Sequence, residues 1–274
     1  LLIVLLSSTV CAGVAMAGYV PVPIMEAGKP YLVDLAYSPD GSTLATLTSE
    51  WVELLDADTF EPVARFGRGG SRIEYSPDGS QIAVVRRPAP SSIHDARTGA
   101  LLEELPPARR VASAFSPDWR RFAYAEGDVV TVWDRDTRSV VATLTGDPEP
   151  YRRGVAGVST SNPRITHLAF HPDGVRLLVA SHRATVSMWN VESGDLLRHY
   201  RVGTWVQGIA ASPDGGGFAL HTQPGRRYLW ALEAEQPRRV VSRPPLGRGH
   251  DMGYDRAGLY LWSAGNDRTL QRLD

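Results

Sequence analysis

Six positions of the sequence lie at one fixed distance from a recurring turn, and most carry side chains suited to binding. Each stands eight residues before the turn proline, or before Arg256 in the last copy: Tyr31, Gly69, Arg109, Arg164, Trp205 and Arg248. Guanidinium groups bind carboxylates through paired hydrogen bonds, and Trp, Tyr and Arg are the side chains that most often carry binding energy. The pattern predicts a site for a carboxylate-bearing or aromatic peptide.

A long insertion adds three further candidates to this predicted site. The turn prolines Pro39, Pro77, Pro117, Pro172 and Pro213 follow one another at 38, 40, 55 and 41 residues, and the extra residues lie in a Pro-, Gly- and Ser-rich loop, 146–164. Loops of this length are usually disordered or functional. The functional alternative is a partner-binding loop that carries Tyr151, Arg152 and Arg153.

The sequence contains no pattern typical of a catalytic, metal or cofactor site. It has no Gly-x-Ser-x-Gly elbow, no phosphate-binding loop, no His-Glu-x-x-His motif and no EF-hand series. Cys11 is the only cysteine, and the seven histidines are spread along the chain. We therefore predict that the protein is not an enzyme and has no metal and no cofactor.

The elements that would position the candidate residues form a repeat of about 40 residues. Its clearest copy, residues 165–202, reads ITHLAFHPDGVRLLVASHRATVSMWNVESGDLLRHYRV. An apolar run leads into a His-Pro-Asp-Gly turn, and a second run, 177–180, is suited to a strand buried on both faces. Val186 and Met188 alternate with Ser187 in a third strand, and a Ser-Gly turn leads into a fourth. One copy thus predicts four antiparallel strands.

The same turn recurs along the chain, so that six copies, called repeats one to six, can be traced. Ser-Pro-Asp begins at Ser38, Ser76, Ser116 and Ser212, and a weaker copy at 254–258 keeps only the aromatic residue and the glycine. A short motif is predicted to close each third strand: Leu55-Asp56, His94-Asp95, Trp133-Asp134, Trp189-Asn190, Leu229-Trp230 and Leu273-Asp274.

Trp133-Asp134 and Trp189-Asn190, each placed after such a turn, resemble the WD-repeat family. The resemblance covers residues 30–274 and implies an all-β fold, a β-propeller of four-stranded antiparallel blades with degenerate repeats of the bacterial type. It implies six blades, or a truncated seven-bladed propeller, with the six candidate positions around one mouth of the central channel. The family's hydrogen-bond network of His, Ser, Asp and Trp cannot be assembled from this sequence, so packing and strand ladders must hold the blades.

Residues 1–17 are apolar and uncharged and end in Ala15-Met16-Ala17, which is typical of a secretory signal peptide. The alternatives are the end of a membrane anchor that continues to Met25 and a lipid-modified Cys11. The propeller then comprises residues 18–274, and a predicted strand at 19–25 could supply the missing outer strand of repeat six. We expect an exported protein, periplasmic or extracellular, attached to the membrane only if residues 1–25 remain uncleaved.

The net charge and the amino-acid composition indicate which classes of partner to expect. The net charge is −1, which gives no reason to expect nucleic acid as a partner. Lys29 is the only lysine, so the abundance of arginine by itself places arginines at many exposed positions. We predict a monomeric, non-enzymatic scaffold for a protein or peptide partner outside the cytoplasm. The alternative is a sensor or accessory propeller domain of a larger enzyme, either kinase-like or a hydrolase.

Trp119 departs from the turn pattern, because three sister turns have glycine after Ser-Pro-Asp. That position often needs positive φ, which costs a residue other than glycine about 1 kcal/mol. From the sequence alone, Trp119→Gly is expected to be neutral or stabilising.

Overall fold

A computed structural model describes residues 31–86, 88–107, 112–145, 165–222, 226–240, 249–254, 260–265 and 270–273. Over these ranges the ordered elements are 23 β-strands. Residues 1–30, which hold the predicted leader and closing strand, and the 146–164 loop fall outside the described residues, so those predictions stay predictions.

The strands follow the six repeats in chain order. Repeat one contains β1 (Leu32–Tyr37), β2 (Thr43–Thr48), β3 (Val52–Asp56) and β4 (Pro62–Phe66). Repeat two contains β5 (Arg72–Tyr75), β6 (Gln81–Val85), β7 (Pro90–Asp95) and β8 (Leu101–Pro107). Repeat three contains β9 (Ser113–Phe115), β10 (Arg121–Glu126), β11 (Val129–Asp134) and β12 (Ser139–Thr145). Repeat four contains β13 (Ile165–Phe170), β14 (Arg176–Ser181), β15 (Thr185–Asn190) and β16 (Leu196–Arg201). Repeat five contains β17 (Val206–Ala211), β18 (Gly217–Thr222), β19 (Arg226–Ala231) and β20 (Arg238–Val240). Repeat six contains β21 (Gly249–Tyr254), β22 (Leu261–Gly265) and β23 (Leu270–Leu273).

Each repeat forms its own antiparallel sheet with the strands paired in chain order. Among the described residues five of the sheets have four strands and the sixth has three, which confirms the prediction of four-stranded antiparallel units. Repeats one and two belong to one compact body, and repeats three to six belong to another.

One predicted strand end needs correction. In repeat five Phe218 is paired with Trp230, just as Leu177 is paired with Trp189 in repeat four. The third strand therefore closes with Trp230-Ala231, one residue later than the predicted Leu229-Trp230. The pairing register decides the position, because the tryptophan must face the same strand neighbour as in the sister sheet.

The Ser-Pro-Asp turns are closed by a hydrogen-bond network that explains their recurrence. In repeat one the Ser38 hydroxyl donates to Asp40 Oδ1 at 2.5 Å and accepts from the Thr43 amide at 2.9 Å. The Ser38 hydroxyl, together with donors from Ser42, holds the pKa of Asp40 below its ordinary value. Gly41 completes the turn with a φ of 75°, in the left-handed region that favours glycine. The serine and the aspartate form the same bond in three other repeats: Ser76 with Asp78, Ser116 with Asp118 and Ser212 with Asp214.

A β-bulge recurs between the third and fourth strands of repeats one to four. The register shifts at Leu54/Leu55, Ile93/His94, Val132/Trp133 and Met188/Trp189. In every case one residue of the fourth strand, called the outer strand from here on, has no partner opposite it on the third strand. All four such residues are exposed and apolar: Val63, Leu102, Val141 and Leu197. These four exposed apolar residues of the outer strands are therefore bulge residues.

Trp119 occupies its turn with a φ of 59°, which confirms the predicted positive φ. The side chain is nevertheless only 5% exposed and stacks on Phe115 with ring centroids 4.6 Å apart. The Arg135 guanidinium lies 5.8 Å from the centroid of the indole and donates to the Trp119 carbonyl at 2.8 Å. The buried ring reverses the effect expected for glycine at this position.

Candidate functional site

Tyr31 and Trp205 are the two predicted binding residues that the structure describes. Both stand directly before the first strand of their repeat, as predicted, and their side chains are 64% and 37% exposed. Six other candidates lie outside the described residues: Arg109, Tyr151, Arg152, Arg153, Arg164 and Arg248. The convergence of these positions around one opening stays a prediction.

Gly69, the remaining position of the series, has a structural role. Its amide donates to the Glu50 carbonyl at 2.7 Å. A Cβ at this position would lie 2.0 Å from the Ser49 carbonyl oxygen. The backbone of the loop between repeats one and two thus passes so close to the β2–β3 turn that no side chain fits, and Gly69 cannot contribute one to a site.

Trp205 forms an aromatic platform together with His182. The two rings are 4.7 Å apart between centroids and inclined by 37°. His182 belongs to the turn between β14 and β15, and the Ala184 carbonyl of that turn accepts from the amides of Val202 and Gly203 at 2.9 and 3.2 Å. These bonds fix the loop that carries Trp205. The sequence identified Trp205 but not His182, since nothing in the spacing indicates the contact between the two loops.

Tyr31 lies beside the corresponding turn of repeat one. The Tyr31 carbonyl accepts from the Ser49 amide at 3.1 Å. The same turn carries Trp51, whose indole ring is covered by the Arg65 guanidinium at 4.6 Å from its centroid. Arg65 is in turn paired with Glu53 at 2.6 Å. Tyr31 therefore resembles Trp205: it stands directly before the first strand of its repeat, β1, and its backbone is bonded to the β2–β3 turn.

The tryptophans that end the third strands lack the hydrogen-bond partners found in better-preserved repeats. Trp133 and Trp189 have indole nitrogens that are buried and form no hydrogen bond in the described part of the chain. This agrees with the expectation that these repeats rest on packing. Trp230 differs, because its indole nitrogen donates to the Ala234 carbonyl at 2.9 Å.

In repeat two His94 takes the place of this tryptophan and forms a pair with Ser92. His94 Nδ1 donates to the Gly99 carbonyl at 3.0 Å, so Nε2 carries no proton and accepts from the Ser92 hydroxyl at 2.9 Å. Burial lowers the pKa of His94, an effect opposed by the bond to the Gly99 carbonyl and reinforced by the charge of Arg86. Ser92 and His94 are 1% and 4% exposed, so a substrate does not reach this serine–histidine pair.

Metal binding and membrane insertion find no support in the residues described. These residues contain no group of three or more His, Cys, Asp or Glu side chains that could hold a metal ion. Nor do they include a helix long and apolar enough to cross a membrane.

Comparison with known proteins finds similar repeats and a similar fold. The family model described as "Anaphase-promoting complex subunit 4 WD40 domain" matches residues 152–212. A chain of the structure titled "Crystal Structure of Mitotic Checkpoint Complex" superposes with a TM-score of 0.76 at 16% identity, over 94% of this chain and 82% of that one. The chain has the β-propeller fold, and its repeats resemble those of the WD-repeat family. A chain of "Kuenenia stuttgartiensis Hydrazine Synthase" shares the propeller's fold at a TM-score of 0.69 and 18% identity, with 94% and 80% covered.

Two curated relatives match parts of the propeller. Protein LST8 homolog of Drosophila melanogaster is 32% identical over 84 residues, which is 29% of this chain and 26% of the relative. Transducin beta-like protein 3 of Bos taurus is 25% identical over 184 residues, which is 55% of this chain and 23% of the relative. The matched segments therefore span about a quarter of the length of these relatives.

Proposed function

We propose that this propeller is a non-enzymatic scaffold that binds a protein or peptide through the loops that precede its inner strands. The Trp205–His182 platform carries the proposal. Trp205 is a large amphipathic side chain that remains exposed while its loop is held by two backbone hydrogen bonds to the neighbouring turn. Trp is among the residues that dominate the energy of protein interfaces. Propellers of the WD-repeat type are typical protein-interaction scaffolds, which supports the same conclusion.

The geometry of the platform favours binding because Trp205 and its loop are already held in place and lose little conformational entropy when a partner binds. A side chain that is already held in one conformation loses less entropy when a partner covers it. The ring of Trp205 packs against the imidazole of His182, and Trp205 is nevertheless 37% exposed. A partner's aromatic or aliphatic side chain would cover this exposed part of Trp205.

Trp205→Ala is expected to weaken partner capture by at least tenfold, because removal of a central interface tryptophan costs about 2 kcal/mol or more. The measurement is quantitative cross-linking and mass spectrometry of proteins captured from an extracytoplasmic extract. Leu197→Ala is the matched control, since Leu197 is apolar, 43% exposed and lies on the outer strand of the adjacent repeat. A second variant replaces Arg109, Arg164 and Arg248 by serine. Unchanged capture by both variants, with their folds intact, would reject the proposed surface.

We also propose that the propeller acts outside the cytoplasm. The support is the apolar, uncharged segment 1–17 with its Ala15-Met16-Ala17 end. Expression of the protein from its natural gene, followed by N-terminal sequencing of the exported protein, should give Gly18 as the first residue. Retention of residues 1–17 in the exported protein would favour the anchor instead.

A further inference from the structure

Arg86 is a partly buried cation at the seam between repeats one and two. It follows β6, and its Nη2 donates to the Ser92 hydroxyl at 3.1 Å. Its Nε is shielded from solvent and has no acceptor among the described residues. The guanidinium is therefore held in place at one end and incompletely satisfied.

A second arginine lies beside it. A Cβ built on Gly67, the residue before Arg68, would be 4.0 Å from Arg86 Nη2, so the loop that carries Arg68 lies next to the Arg86 guanidinium. Burial lowers the pKa of Arg86, and the charge of Arg68 lowers it further, against a smaller opposing effect of Glu104. Neither arginine takes part in an ion pair within the described ranges of the chain.

A chain of buried hydrogen bonds holds the Arg86 guanidinium in place. The Ser92 hydroxyl that accepts from Arg86 donates to His94 Nε2, and His94 is fixed through Nδ1 to the Gly99 carbonyl. Ser92 and His94 are both buried. This chain of hydrogen bonds orients the guanidinium before any ligand arrives, which reduces the entropy lost on binding.

We infer that Arg68 and Arg86 form a binding site for an oxyanion carried by a peptide, either a carboxylate or a phosphoryl group. Two adjacent guanidinium groups without a carboxylate partner repel one another, and an oxyanion between them removes the repulsion and accepts charge-assisted hydrogen bonds. Arg68 is exposed and supplies a guanidinium that a ligand can reach from solvent. Arg86 supplies a guanidinium that its bond to Ser92 already orients. The inference goes beyond the Trp205 platform and does not depend on it.

The test uses the full chain and three fluorescently labelled peptides that differ only in one central residue: phosphoserine, glutamate or glutamine. We expect the phosphoserine or the glutamate peptide to bind in fluorescence anisotropy titrations, the glutamine peptide not to bind, and affinity to fall as salt is raised. Arg68→Gln and Arg86→Gln should each weaken binding about tenfold or more. The control is Arg97→Gln, an exposed arginine in the turn after β7, at the opposite end of the same repeat.

The preferred peptide identifies the source of the oxyanion, and competition by inorganic phosphate supports the phosphoryl assignment. Equal affinity for all three peptides, or an equal loss on Arg97→Gln, would overturn the inference. Arg68→Gln keeps the test decisive if Arg86→Gln disturbs folding, because Arg68 is exposed and takes no part in the hydrogen bonds that join Arg86, Ser92 and His94. Failure here is distinguishable from failure of the scaffold proposal, since the peptides report binding independently of capture through Trp205.

Discussion

Trp119→Gly is expected to lower the free energy of unfolding by about 2–4 kcal/mol. Truncation of a buried tryptophan costs about 3–5 kcal/mol, and relief of the positive φ returns about 1 kcal/mol. The ring is buried and stacked on Phe115, and these contacts have no counterpart in the sister turns that carry glycine. The lost packing therefore outweighs the relaxed backbone.

Urea unfolding followed by circular dichroism measures this effect. Trp119→Phe serves as the control, because it retains the positive φ and part of the stacking on Phe115, and a smaller loss is expected. If Trp119→Gly unfolds at the same urea concentration as the unaltered protein, the stacked ring contributes no more than the strain that it imposes.

Trp230→Ala should have a larger effect, a loss of about 3–5 kcal/mol. Trp230 is among the largest fully enclosed side chains that the structure describes. Its ring stacks with Phe218 at 6.0 Å and meets Tyr200 edge-on at 5.4 Å. Removal of the indole leaves a cavity between repeats four and five and also leaves the Ala234 carbonyl without its donor. The measurement is again the midpoint and slope of urea unfolding.

A second variant separates packing from hydrogen bonding in the same cluster. Tyr200 donates through its hydroxyl to the Leu232 carbonyl at 2.9 Å, and Tyr200→Phe removes that bond while it keeps the ring. We expect a loss of about 1 kcal/mol. Equal losses for Trp230→Ala and Tyr200→Phe would contradict the view that aromatic packing dominates this region.

The repeat architecture was accessible from the sequence because its turns carry distinctive residues. Pro presets the backbone, and the serine and aspartate close the turn through their own hydrogen bonds, so each copy is marked locally. The end of the third strand in repeat five was missed by one residue. Ala231 has no polar side chain to mark that position, and only the pairing of Phe218 with Trp230 reveals it.

Some residues of the candidate sites are marked by sequence spacing, and others are brought together only by the fold. The positions of Tyr31 and Trp205 directly before a first strand could be predicted because their distance to the turn is constant along the chain. His182 and the pair of Arg68 and Arg86 could not, since their neighbours come from different strands and loops that only the fold brings together. The burial of Trp119 could not be predicted for the same reason. Turn residues are usually exposed, and only the fold shows that the Trp119 ring packs on Phe115.

The recurring bulge of the outer strands bears on how the protein behaves in concentrated solution. Fibrils grow when a straight, regular strand edge accepts a strand from another molecule. In repeats one to four an unopposed residue interrupts the ladder near the start of the outer strand and increases its twist. A strand from a second molecule would find the donors and acceptors out of register at this point, so we expect the bulge to disfavour an intermolecular sheet at Val63, Leu102, Val141 and Leu197.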